Sequence, residues 1–269
     1  MNPKEKVMLT QAQETLLIPL YAKAQDNPVI RDEKARQILE GVDYDFRQLK
    51  VPQKTVVTLW IRARQLDTYT SQFIAAHPDA VILHLGCGLD SRCTRVPHPA
   101  AQWFDLDMPD VIALRRKFYS ETDTYRMIAS SVTDLPWMDQ IPAQGRPVLV
   151  VAEGLLMYLH EDEVRDLLLC LKDRFPGCEL VFDAFSKLTV DRIKAHPSLQ
   201  KTGAVIHWGI DNAREIESWA AGIRLNEEWF FSQSPDIDRL SWFYRMMFRL
   251  TASIAVAQKA QRLLYFALG

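Results

Sequence analysis

The sequence predicts an α/β protein, an open and mostly parallel sheet with helices on both faces. Three observations carry this reading. From residue 80 onward, short apolar runs alternate with helical segments, the pattern of a sheet wound with helices. Those runs are apolar at successive positions, not alternate ones, as strands buried on both faces are. The first run, "AVILHL" (80–85), leads directly into a glycine loop, "GCGLD" (86–90), and ligands of such sheets bind at the carboxyl ends of strands where the strand order reverses.

Before residue 79 the chain reads as helical. "QAQETLLIPLYAKA" (11–24) is expected to break at Pro19, and "RDEKARQILEGV" (31–42) to end at Gly41. "TVVTLWIRARQLDTYTSQFIAAH" (55–77) is long and amphipathic and stops before Pro78. After the first strand, "QWFDLD" (102–107) is the second, and "MPDVIALRRKFYS" (108–120) the helix that follows it. Pro109 suits its first turn, Asp110 the positive end of its dipole, and Arg115, Arg116 and Lys117 the negative end. "YRMIA" (125–129) is a third strand and "PVLVVAEG" (147–154) the strongest strand signal in the chain. The helix near 161–175 places Val164, Leu167, Leu168, Leu171 and Phe175 on one face. "CELVFDAF" (178–185) is a fifth strand, a mixed region runs to about 255, and "RLLYFAL" (262–268) closes the chain as a last strand.

Composition sets bounds. The 269 residues are 48% hydrophobic and 25% charged, with a formal charge of −2, ordinary globular values that carry no basic excess for nucleic acid. "LTASIAVA" (250–257) lies between Arg249 and Lys259 and is far too short for a span. "MNPKEKVMLTQAQE" (1–14) lacks the apolar core of a signal peptide. Cys87, Cys93, Cys170 and Cys178 show no CxxC spacing and no histidine pattern for a metal. They read as reduced thiols of a cytoplasmic protein. The expectation is one unit without a metal, nucleic-acid partner or membrane partner, its oligomeric state open.

Gly86, Cys87 and Gly88 form a loop that turns tightly and lets a ligand approach the backbone. A lone GxG is equally common in plain strand-to-helix turns. Asp107, 19 residues past Gly88, stands where an acid takes both ribose hydroxyls of a nucleoside, although it also suits a cap for the helix at Pro109. The third glycine of a dinucleotide fingerprint is replaced by Ser91, and Asp90 sits inside the loop. A pyrophosphate would meet that carboxylate. S-adenosylmethionine carries no phosphate, and the acids at the expected strand ends, Asp90, Asp105, Asp107, Asp134 and Glu153, suit a net cation.

In chain order, "WIRARQLD", "LGCGLDSR", "WFDLDMPDVIALRR", "ASSVTDLPWMD", "VVAEGLLMYLHEDEV" and "HWGIDNAREIESW" resemble the leucine carboxyl methyltransferase family, in its bacterial polyketide O-methyltransferase branch. The resemblance covers essentially the whole chain. It implies a Rossmann-like methyltransferase fold with a seven-stranded sheet. It also implies a single domain: a helical lid over 1–78, a cofactor-binding core over 79–185, a lid and substrate region over 186–255, and the last strand over 256–269. By the same resemblance Arg62, with Arg64 as the alternative, pairs with the cofactor carboxylate. Gly86 and its neighbours pack on the methionine end, Asp107 binds the ribose, Ser131 and Val132 flank the adenine with Asp134 close by, and Glu153 lies near the amino-acid end. Some members carry an acid where Ser131 falls, which leaves the adenine contact to backbone.

Each assignment competes with a plainer one. Arg62 and Arg64 read from the helix alone as a solvated face. Glu153 ends a buried strand and needs a partner, which an arginine would supply as well as a cofactor. His160 reads as a helix-start residue, and His207 as either a half-buried strand residue or part of the acceptor pocket. "WFYRMMF" (242–248) reads as an apolar helix face or a lining for a greasy acceptor. No His–acid pair stands out near the strand ends, which favours a small-molecule acceptor that needs no base: a carboxylate, positioned by Tyr158 or His207. The alternatives are a phenol or alcohol acceptor, a non-catalytic nucleoside-binding protein, and a nicotinamide-dependent oxidoreductase.

Overall fold

The computed structural model describes residues 5–6, 16–194 and 205–269. Strands β1 (Val81–Leu85), β2 (Gln102–Asp107), β3 (Tyr125–Ala129), β4 (Val148–Ala152), β5 (Cys178–Phe185), β6 (Ile223–Phe230) and β7 (Gln261–Leu268) form one sheet. Their order is β3-β2-β1-β4-β5-β7-β6. The pairs among β1 to β5 are parallel, and β7 runs antiparallel between β5 and β6. Strand order reverses between β1 and β4, so their carboxyl ends frame the crevice in which a ligand of such a sheet sits.

Alternation along the strands divides the core. Ile82, Leu149 and Val151 face a layer made by helices α1 (Leu17–Ala24), α2 (Glu33–Gly41) and α3 (Gln53–Ala76). Val81, Leu83, Leu85, Val148 and Val150 face the opposite layer. After α4 (Arg92–Arg95) and α5 (Pro109–Arg115), helix α6 (Glu161–Arg174) supplies that second layer with Val164, Leu167, Leu168 and Leu171. Burying such side chains contributes about 1.5–3 kcal/mol each, which is why the runs sit between two helical layers.

Two expectations need correction. Pro19 does not break a helix; it lies in the first turn of α1, where its missing N–H would have had no partner, and residues 11–15 lie outside the described ones. Nor is the segment 186–255 only a lid, because it contains the edge strand β6. That strand reads "IRLNEEWF" and alternates irregularly between buried and exposed positions, since an edge strand carrying charges lacks the apolar run that marks a central one. The same segment holds α7 (Lys187–Lys194) and α8 (Trp242–Ala252), and α9 (Ala255–Lys259) leads into β7. Of the basic residues at the end of α5, Arg115 turns inward and is fully buried instead of lying at the helix terminus in solvent. His160 is the N-cap of α6, with its backbone N–H donating to Glu163 Oε2 at 2.7 Å.

Candidate cofactor site

The glycine loop leaves β1 with Gly86 and Gly88 at φ of 62° and 52°, in the left-handed region that favours glycine. A Cβ on Gly86 would stand 2.8 Å from Leu155 Cδ1. Arg115 holds the loop from below: its Nη1 donates to the carbonyls of Gly88 at 3.0 Å and Asp90 at 2.7 Å. Cys87 is buried inside the loop, and burial pushes its thiol well up.

Asp107 ends β2 beside that loop. One carboxylate oxygen accepts from Gly88 N–H at 2.7 Å and the other from Met108 N–H at 2.8 Å. Burial pushes its carboxyl up, partly offset by these two donors. Each oxygen has a second lone pair, so the bonds do not exhaust its capacity to accept hydroxyls. Ser131 and Val132 follow β3 next to it. Val132 is buried, its carbonyl accepting from Trp137 Nε1 at 3.1 Å, and Ser131 Oγ bonds Thr133 Oγ1 at 2.8 Å. Asp134 is exposed.

Across the crevice the two arginines of α3 separate. Arg62 is buried and reaches the strand ends: Nη2 to Glu153 Oε1 at 3.1 Å and Nη1 to Asp183 Oδ2 at 2.7 Å. Arg64 points away, its side chain 53% exposed and 3.8 Å from Asp236 Oδ2. That placement sets Arg64 away from the strand ends, since two residues along a helix turn a side chain by about 200°.

Three of the acids expected to form a rim, Asp90, Asp105 and Glu153, are already paired with cations. Asp105 is buried beneath the loop, bonded to Arg115, to Tyr125 Oη at 2.6 Å and to His84 Nδ1 at 3.1 Å. Burial favours its neutral form, but Arg115 and His84 hold its carboxyl down at about 2. His84 is thus a buried His–acid pair that the sequence reading missed, and its burial keeps it from any acceptor.

Glu153 touches three cations, Lys23 at 3.2 Å, Arg62 and Arg92. Burial works against its charge, yet the three hold it well below the usual carboxylate range. Asp90 meets Lys23 and, at 3.2 Å, Arg95; against burial, Arg95, Lys23 and Arg92 hold it low as well. Lys23, Arg92, Arg95 and Asp183 are the site's unforeseen members. Lys23 had a faint signal, a lysine three residues beyond Leu20 on the apolar face of α1. It is 2% exposed, and α1 is pinned on α3 by Trp60 Nε1 donating to Ala22 O at 2.7 Å.

The connected buried cluster holds four cations, Lys23, Arg62, Arg92 and Arg95, and five anions, Asp32, Asp67, Asp90, Glu153 and Asp183. It carries one surplus negative charge. Tyr158 and His207 lie beyond β4. Tyr158 packs against Met157, Val190 and Ile206, and the exposed His207 lies against His160 with ring centroids 4.0 Å apart and the rings tilted by 36°.

An open sheet of this order, with a glycine loop, an acid after the second strand and charged groups at the switch point, defines the class of nucleoside-cofactor methyltransferases. Solved structures agree on the fold. A DUF574 family protein from Streptomyces avermitilis superposes with a TM-score of 0.62 at 10% identity, covering 94% of this chain and 96% of the other. Magnesium protoporphyrin IX methyltransferase from Synechocystis, solved with bound S-adenosylhomocysteine, gives 0.51 at 11% identity over 87% and 93%. The leucine carboxyl methyltransferase family model matches residues 15–172. The chain is 44% identical over 236 residues to the tetracenomycin polyketide synthesis O-methyltransferase TcmP of Streptomyces glaucescens, covering 86% of this chain and 87% of the relative. It is 35% identical over 253 residues to the S-adenosyl-L-methionine-dependent methyltransferase dpfgK of Gibberella zeae, covering 84% and 85%. The chain belongs to the leucine carboxyl methyltransferase family.

Proposed function

We infer that this protein is an S-adenosylmethionine-dependent O-methyltransferase that esterifies a carboxylate of a small-molecule, polyketide-like acceptor. The observation that carries the cofactor is the buried cluster at the β1–β4 switch point, with its one surplus negative charge. S-adenosylmethionine bears a sulfonium, an ammonium and a carboxylate, a net single positive charge, and so complements it. A nicotinamide dinucleotide carries a pyrophosphate into the same acids and does not.

The cofactor, when bound, supplies an electrophilic methyl group; the protein's residues bind, orient and exclude water. Lys23 and Arg62 hold its carboxylate, and Glu153 with Asp90 its ammonium. Asp107 takes the ribose hydroxyls, with Gly88 N–H keeping the carboxylate aimed. Val132 and Ser131 flank the adenine, and Gly86 with Cys87 leaves room for the methionine end. A carboxylate acceptor is ionised near neutral pH, so alignment is the main task and no general base is required. Tyr158 and His207 position that acceptor. The described parts of 1–78 and of 186–255 outside β6 cover the strand ends and carry acceptor choice. The four cysteines are all free thiols, in keeping with a reducing cytoplasm.

A second reading, methylation of a phenol or alcohol, rests on the exposed His207–His160 pair, which is placed to accept a proton. Product chemistry separates the two. A methyl ester releases methanol in mild alkali and its rate of formation changes within about twofold between pH 8 and pH 6. An alkali-stable product lost in His207→Ala would assign a hydroxyl acceptor. Calorimetry tests the cofactor: S-adenosylhomocysteine should bind without competition from NAD, and tight NAD binding alone would overturn the reading.

A further inference from the structure

Helix α8 is apolar on both sides. Phe248 is buried, and Tyr244 and Met247 pack against the core, while Trp242, Phe243, Met246 and Leu250 point to solvent at 41–68% exposure. Ile254 and Val256, leading into and within α9, continue the exposed stripe at 56% and 62%. A helix apolar on both sides belongs between two apolar surfaces, and among the described residues only one is present. At 100° per residue, Trp242, Met246, Leu250 and Phe243 occupy a single arc of about 100°, with Arg249 and Arg245 along one border. From Leu240 to Gly269 the chain contains Arg245, Arg249, Lys259 and Arg262 and no acid at all, in a protein whose overall charge is −2. Arg262 is buried, and Arg249 reaches Asp238 outside this stretch at 3.3 Å in an exposed pair.

We propose that α8 and α9 dock this protein on an anionic lipid surface. A Trp/Phe/Met/Leu stripe bordered by arginines is the composition of helices that lie in the plane of a membrane interface, their aromatic and aliphatic side chains below the headgroups and their cations among them. Charge decides the occupant. A second copy meeting this face across a two-fold axis would set the same cations against each other, whereas an anionic bilayer complements them. This departs from the sequence expectation of no membrane partner, which weighed spans alone; no helix among the described residues is long and apolar enough to cross a membrane, and a surface helix needs no such length. The residues just after α9 adjoin the candidate site: Ser186 N–H donates to Ala260 O at 3.3 Å, and Gln261 Nε2 to Asp183 Oδ2 at 3.2 Å. Docking therefore sets the rim of the sheet at the interface where amphiphilic acids partition.

The test is co-sedimentation of the full chain with vesicles of equal parts phosphatidylglycerol and phosphatidylcholine, and with phosphatidylcholine alone. Binding to the anionic vesicles should exceed binding to the neutral ones at least tenfold and weaken as salt is raised. Trp242→Ser combined with Leu250→Ser should lower it at least tenfold, and Arg245→Gln with Arg249→Gln several-fold. Melting temperature and S-adenosylhomocysteine affinity should be unchanged in both, because none of the four side chains is buried and none belongs to the residues assigned to the cofactor. Equal sedimentation of variant and parent, or none by either, overturns the proposal. So does a solution dimer that the double serine variant dissolves, which would make this face a contact between copies.

Discussion

Asp107 is not the cap of α5, whose N-cap is Met108 with no side-chain cap bond; its carboxylate ties the glycine loop to the residue before that helix through Gly88 and Met108. Asp107→Ala should therefore cost stability as well as affinity: the buried Gly88 N–H loses its partner, at about 1–3 kcal/mol, while the Met108 N–H can turn to water. Asp107→Asn keeps one acceptor and should recover part of the melting temperature. It should still bind S-adenosylhomocysteine at least tenfold more weakly, because the charged hydrogen bonds to the ribose are lost. Normal affinity in the asparagine variant would reduce Asp107 to a structural tie. Arg62 and Arg64 give a cleaner contrast. Arg62→Ala should weaken the cofactor at least tenfold by calorimetry, with Arg62→Lys recovering only part of it, while Arg64→Ala stays within twofold. A loss confined to Arg64→Ala would mean that α3 sits in another register. At this scale a residue's place was legible where it belonged to a motif, as Asp107 and Glu153 do at the ends of β2 and β4. Lys23 and Asp183 were not, since a buried lysine on α1 and an acid in an apolar strand announce themselves only when the fold brings them within 4 Å of Arg62 and Glu153.

At the scale of elements, the loop between β1 and α4 is set by two left-handed glycines, and one of them is also crowded. Gly86→Ala adds a Cβ against Leu155 on a backbone that disfavours it, costing about 1–2 kcal/mol before the clash is relieved. Gly145 is the control, since its φ is 78° and nothing lies within 4 Å of an added Cβ. Both alanine variants should melt earlier, but only Gly86→Ala should also lose affinity for S-adenosylhomocysteine, by at least fivefold. Equal affinity in the two would mean that the loop carries no cofactor. Six of the seven strands were legible from their apolar runs. The seventh, β6, was not, because its Arg224 and Glu228 break the run and its pairing with β7 is a long-range contact that no local pattern encodes.

For the whole molecule, buried charge makes stability depend on pH in a direction the pairings determine. Asp90, Glu153 and Asp105 are desolvated, yet cations hold all three below their unfolded values, Asp105 at about 2. In the unfolded chain such carboxyls titrate near pH 4. A group lower when folded contributes stability fully above its unfolded value and loses it as pH falls toward the folded one. Asp107 shifts the other way and so opposes the trend with a single carboxyl against three. The melting temperature should hold nearly flat from pH 8 to pH 5, then fall steeply between about pH 4 and pH 2. Added salt should soften that fall little, because the pairs are shielded from solvent. Asp105→Asn should melt earlier at pH 7, by an amount of order 3 kcal/mol from the stranded Arg115, and show a shallower acid decline than the parent. Calorimetric scans across this range decide it: a parent whose melting temperature already drops between pH 7 and pH 5, or an acid decline unchanged in Asp105→Asn, would contradict these pairings as the source of its acid sensitivity.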